Sequence, residues 1–209
     1  PAEAKGKKAA EVNVGVREAL KTRSFWLLSA GLTAAILAPQ ALSTFQIPYL
    51  VSLNFTTAFA GLVVSAMAII STAGRLGFGW LGDYKDKRKV LVATLTLEAA
   101  GLFFLANLRA AWMIIPYLVL YSPAWGGTVP LRPGILADYY GRKSLGAIQG
   151  VLMAVMTVAG VLAPIGVGVV FDISGSYRIG FFAVAAMAAL AVPLVLLARR
   201  PTFNAPAPD

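Results

Sequence analysis

The 209-residue chain has no cysteine and no histidine. Without cysteine it has no disulfide framework and no thiolate metal site, and without histidine it lacks the commonest general base and metal ligand. Charge is scarce as well. Only 13% of the residues are Asp, Glu, Lys or Arg, where a soluble globular domain carries about 25%. A water-soluble domain is thereby excluded, and no enzymatic activity, cofactor or metal ion is expected.

In their place is apolar sequence, 58% of the chain. Crossing about 30 Å of hydrocarbon takes about 20 residues of helix. Six stretches reach that length, at 26–53, 57–82, 89–107, 111–136, 145–171 and 178–198. The expected fold class is an all-α membrane protein with six transmembrane helices. Residues 1–25 are polar and lack the apolar core of a signal peptide, so they read as a cytoplasmic linker in which VREALKT at 16–22 forms a short amphipathic helix. The transmembrane domain then occupies 26–200, and PTFNAPAPD at 201–209 reads as a disordered cytoplasmic tail.

Cations orient the chain, because Lys and Arg near span ends stay on the cytoplasmic side. Of the 18 cations, 14 fall on one side, among them Lys21, Arg23, Lys85, Lys89, Lys143, Arg199 and Arg200, which puts both termini in the cytoplasm. A net charge of +9 would suggest nucleic acid in a soluble protein. Here the basic residues fall where anionic headgroups meet them, so the expected partner is the lipid bilayer and not nucleic acid.

Two loops share one grammar, GWLGDYKDKRK at 79–89 and GILADYYGRK at 134–143. Each follows an even-numbered span and gives a glycine, an aspartate four residues later and then cations. Glycine lets the chain turn tightly, and an aspartate at a helix C-terminus needs a partner because the macrodipole disfavours it there. The second copy closely resembles the signature loop of the major facilitator superfamily, and the first is a degenerate version with Asp86 at the loop glycine. In both, tyrosine (Tyr84, Tyr139) replaces the arginine usual after the aspartate. The resemblance covers about residues 17–200. It implies half of the superfamily fold, namely the C-terminal six helices arranged as two inverted three-helix repeats, with an N-terminal six-helix half as partner. It makes Gly79, Asp83, Arg88, Gly134, Asp138, Gly141 and Arg142 the gating loops.

A narrower resemblance rests on AMAIISTAGRLGFGWLGD, where Arg75 stands eight residues before Asp83. That places it about 12 Å inside the span, where a charge is costly unless it meets water or a ligand. The context, with SLGAIQG after the second loop, is similar to the monocarboxylate transporters and the oxalate/formate antiporters. The resemblance implies that Arg75 meets a substrate carboxylate, for which a planar guanidinium fork is suited. The expected function is secondary active transport of a small organic anion by alternating access. The alternatives are an exporter of drugs or other solutes, or a non-transporting membrane fragment. An intramembrane aspartyl protease would need glycine where Leu81 stands.

Further candidates surround Arg75. Ser71 lies one turn away on its face, while Tyr117, Tyr121 and Trp125 step by four as an aromatic wall. Gln40 belongs to a polar face with Ser29, Thr33 and Thr44 in the first span. Glu98, nine residues into the third span, is the candidate for a coupling proton, or else a structural partner of an arginine. Arg132 reads as a gate or headgroup anchor near the cytoplasmic end.

Overall fold

The computed structural model of the chain describes residues 14–203. The linker expected at 1–13 and the tail expected at 204–209 lie outside the described residues. Among the described residues there are seven α-helices and one 3-10 turn: α1 (Val16–Leu20), α2 (Arg23–Ser52), α3 (Thr57–Tyr84), α4 (Lys87–Ala106), the turn Ala111–Met113, α5 (Ile114–Tyr140), α6 (Leu145–Ser174) and α7 (Tyr177–Leu197). The six long helices match the six apolar stretches to within a few residues, and α1 falls inside the expected amphipathic segment. Five of them, all but α5, are long and apolar enough to cross a membrane. The 27 residues of α5 include Pro123, Pro130, Pro133, Gly126, Gly127 and several tyrosines, which dilute its apolarity. Its place between α3 and α4 explains why it tolerates them, since proline-freed carbonyls need protein neighbours at membrane depth.

Local signals set the helix ends. The side chains of Thr22, Thr56 and Ser176 cap α2, α3 and α7, each accepting a backbone N–H of the first turn. Asp86 caps α4 by accepting from the backbone of Arg88 and Lys89. The loop after α5 turns at Gly141, whose φ of 81° is a conformation natural to glycine.

Helix pairing repeats under exchange of the two triplets α2–α4 and α5–α7. The packing of α3 on α5 matches that of α6 on α2, and the packing of α4 on α5 matches that of α7 on α2. Both middle helices, α3 and α6, are also the least buried of the five apolar spans. Two hydrophobic clusters fill the interior. One surrounds Phe25, Leu91, Ile135, Tyr140 and Leu152 at the end of the bundle that holds the basic loops, and the other surrounds Leu50, Leu105, Tyr117 and Phe181 at the opposite end. Between them α4 and α5 contribute a polar layer of Thr94, Glu98, Thr128 and Arg132, all buried.

The chain segments at the basic end are docked. The Val14 N–H donates to the Tyr140 carbonyl at 3.1 Å, and Ala19 of α1 is fully buried. Phe203 lies against the Tyr140 ring, so the first residues of the expected tail pack on the bundle.

Candidate functional site

Arg75 projects from α3, nine residues before the helix ends at Tyr84 and so about 14 Å from that end. Its side chain is exposed on the bundle face, and its guanidinium stands 6.0 Å from the centroid of the Trp125 ring on α5. A cation in that position is held by the quadrupole of the ring. Among the described residues Arg75 has no hydrogen bond and no ion pair, so it is not the arginine partner expected for Glu98. Instead the Glu98 carboxylate accepts from the Thr128 hydroxyl at 2.6 Å, and Thr128 also meets Thr94 at 3.3 Å.

The room beside Arg75 comes from Gly77, which has open space around its Cα. Gly74 serves another purpose, because a side chain there would run into the Pro123 backbone, just as one at Gly126 would run into the Ser71 backbone. Through these glycines α3 and α5 touch backbone to backbone, a contact that packing in hydrocarbon favours. Ser71 is taken up by the same contact. It is buried and its hydroxyl donates to the Ala68 carbonyl of its own helix at 2.8 Å.

A groove of about 320 Å³ opens between α2, α3 and α5. Pro39, Gln40, Ser43, Met67, Trp125 and Arg132 line it. Of the three aromatic candidates only Trp125 reaches this groove. Tyr117 and Tyr121 are fully buried and stack at 5.5 Å, with the Tyr117 hydroxyl against the Met67 sulfur at 3.3 Å. They are packing residues of the bundle, not a wall of the groove. The polar face of the first span is also divided, since Gln40 lines this groove while Thr33 lines a separate apolar one against α6 and α7.

Arg132 departs furthest from its sequence reading. It lies eight residues before the end of α5, is only 8% exposed, and forms part of the groove wall. Its Nε is buried without a partner.

The two loops of shared grammar meet each other. Lys87, from the first copy, runs its stem across Gly134 and places its ammonium 3.0 Å from Asp138 of the second copy. Arg88 donates from Nε to the Val195 carbonyl at 3.2 Å and from its terminal nitrogen to Leu196, tying α4 to the end of α7. Asp83 and Arg142 are exposed, and Gly79 sits 3.6 Å from the Pro130 ring for an added Cβ.

Long apolar helices, paired as two exchangeable triplets around a buried polar layer, define a multi-pass integral membrane protein. Residues 25–209 match the Major Facilitator Superfamily, and the chain belongs to that superfamily of transporters. Within it the chain is similar to monocarboxylate transporters. It is 26% identical to monocarboxylate transporter 12-B of Danio rerio over 163 residues, covering 76% of this chain and 33% of that protein. It is 27% identical to human monocarboxylate transporter 7 over 184 residues, 86% of this chain and 35% of that protein. Similarity extends to the class E tetracycline resistance protein of Escherichia coli, at 30% identity over 90 residues, 43% of this chain and 22% of that protein. The chain spans about a third of the length of the monocarboxylate transporters it matches.

Proposed function

We propose that the chain is the C-terminal half of a secondary active transporter that carries a small monocarboxylate-like anion across the cytoplasmic membrane by alternating access, both termini being cytoplasmic. The observation that carries this reading is Arg75, an exposed guanidinium deep in a span, backed by Trp125 and without a counter-charge among the described residues. Such a group is costly in a membrane unless a ligand anion or water meets it. The similarity to monocarboxylate transporters supports the same class of substrate. The protein binds and moves this anion without transforming it, and the missing partner is an N-terminal six-helix half that supplies the other wall of the site.

The test is uptake of a radiolabelled short-chain acid by the full-length carrier in proteoliposomes. Arg75→Lys keeps the charge but loses the planar fork, so affinity falls by about ten- to a hundredfold, and Arg75→Ala falls further. Parent rates in both variants would overturn the assignment. A drug exporter is the second reading, favoured by the relative from Escherichia coli. Uptake of tetracycline, with no response to short-chain acids, would support that reading instead.

Protons are the proposed coupling ion. Glu98 is closed off from the groove and hydrogen-bonded to Thr128, which favours a structural role for it. Glu98→Gln should therefore leave the pH dependence of uptake unaltered. A flattened profile would make Glu98 the proton carrier.

A further inference from the structure

The apolar groove that Thr33 lines has a volume of about 680 Å³ and lies between α2, α6 and α7. Its lining residues are apolar but for Thr33, whose hydroxyl is buried. Hydrocarbon is the filling such a wall accepts, since a polar ligand would lose its hydrogen bonds there. A second pocket, of about 350 Å³, is lined by Arg23, Ser24 and Leu27 at the start of α2 and by Leu197 and Arg199 at the end of α7.

The two form one continuous groove. On α2, Arg23, Leu27, Ala30, Ala34 and Leu37 follow the alternating four- and three-residue spacing of a single helix face. On α7, Gly180, Ala183, Met187, Leu190, Leu194 and Leu197 do the same in the opposite direction. Each face runs out of the apolar groove and into the arginine pocket. From Leu197 to Gly180 that is about 26 Å of helix. One leaflet contributes about 15 Å of hydrocarbon, so an acyl chain fits within it.

Charge at the mouth is of one sign. Arg23 and Arg199 are exposed and have no ion pair among the described residues, and neither Asp nor Glu lines either pocket. The carbonyls that would make the end of α7 negative are taken, Val195 and Leu196 by Arg88, Ala198 by the Tyr139 hydroxyl and Arg199 by the Ser24 hydroxyl. The last of these bonds also fixes the Arg199 backbone beside the first turn of α2. Trp26 on that turn is 53% exposed, as befits an aromatic residue at headgroup level.

We propose that this groove binds one anionic phospholipid from the leaflet at the basic end of the bundle, its phosphate between Arg23 and Arg199 and an acyl chain running past Ala30 and Leu194 toward Leu37. Guanidinium forks pair with phosphate oxygens, and the apolar groove takes the chain. The site does not depend on which solute the carrier moves.

The full-length carrier in detergent is titrated with phosphatidylglycerol and with phosphatidylcholine of the same acyl chains, and bound lipid is counted by native mass spectrometry. The parent should bind its first phosphatidylglycerol about tenfold more tightly than phosphatidylcholine. Arg23→Ala combined with Arg199→Ala should abolish that preference, whereas Arg17→Ala, which removes an exposed cation from α1, should keep it. Ala30→Phe puts a ring into the groove from an exposed position and should weaken both lipids about tenfold. A thermal melt like the parent's shows that the variants fold, and Ala30→Leu gives the same reading should the Phe variant fail to. Equal binding of the two lipids by the parent overturns the proposal, as does a preference that survives the double variant or is lost equally in Arg17→Ala. A preference lost in the double variant but untouched at Ala30 would make the arginines a site for free phosphate, and the lipid assignment falls.

Discussion

Thr128 holds a position where one hydroxyl decides the state of a buried acid. It donates to Glu98 at 2.6 Å in a layer closed to solvent. Removing that donor leaves a buried acceptor unsatisfied, at a cost of about 1 to 3 kcal/mol. Thr128→Val should therefore lower the midpoint of thermal unfolding in detergent, and Thr128→Ser should restore it. A Val variant that melts with the parent would mean that Glu98 finds another donor. Gly141 makes a second case, because its φ of 81° is strained for any residue with a Cβ. Gly141→Ala should cost about 1 kcal/mol, read in the same melt.

At the scale of elements, the two similar loops form one device. Asp138 closes α5 near the end its dipole makes negative, and Lys87 of the other loop neutralises it. The pair is partly exposed, so its contribution to stability is small, about 0.2 to 1 kcal/mol. Its larger effect is on motion, since it links α4 to α5. Asp138→Asn should slow the exchange between inward- and outward-facing states, measured as uptake rate, with equilibrium affinity nearly unaltered. Affinity lost in proportion to rate would contradict this. The glycine contact between α3 and α5 has no such tolerance. Gly126→Leu should prevent the pair from packing, seen as loss of folded protein on size-exclusion chromatography.

The architecture of the whole molecule was legible in its sequence because apolar length is a direct physical requirement of the bilayer. Helices such as α3 and α6 therefore begin within a residue of the expected positions. The site was legible only in part. Arg75 stands out as a lone charge in an apolar run, but the depth of Arg132 depends on neighbours that linear order does not reveal. Six residues from Asp138, it looks like part of the loop, yet α5 continues to Tyr140 and α2 covers its flank. The aromatic series failed for a geometric reason. Each step of four residues advances about 40° around a helix, so Tyr117 and Trp125 differ by about 80° and face different neighbours. One topological expectation follows. Single cysteines at positions 54 and 174 should react with an impermeant thiol reagent added outside whole cells, and those at 86 and 142 should not. Labelling of the second pair would reverse the orientation.

The backbone contact of α3 with α5 fixes more than the shape of one helix pair. Because Gly74 meets the Pro123 backbone and Gly126 the Ser71 backbone with no side chain between them, the two helices are expected to travel together as one plank. Arg75, Trp125 and Arg132 are all mounted on it, whereas Gln40 belongs to α2, which leans on α6 with Gln40 against Gly160. On the proposed transport reading, α3 and α5 form one jaw of the groove and α2 the other. Paired spin labels on α3 and α5 should keep their separation through a transport cycle, while a pair on α2 and α5 reports the bite.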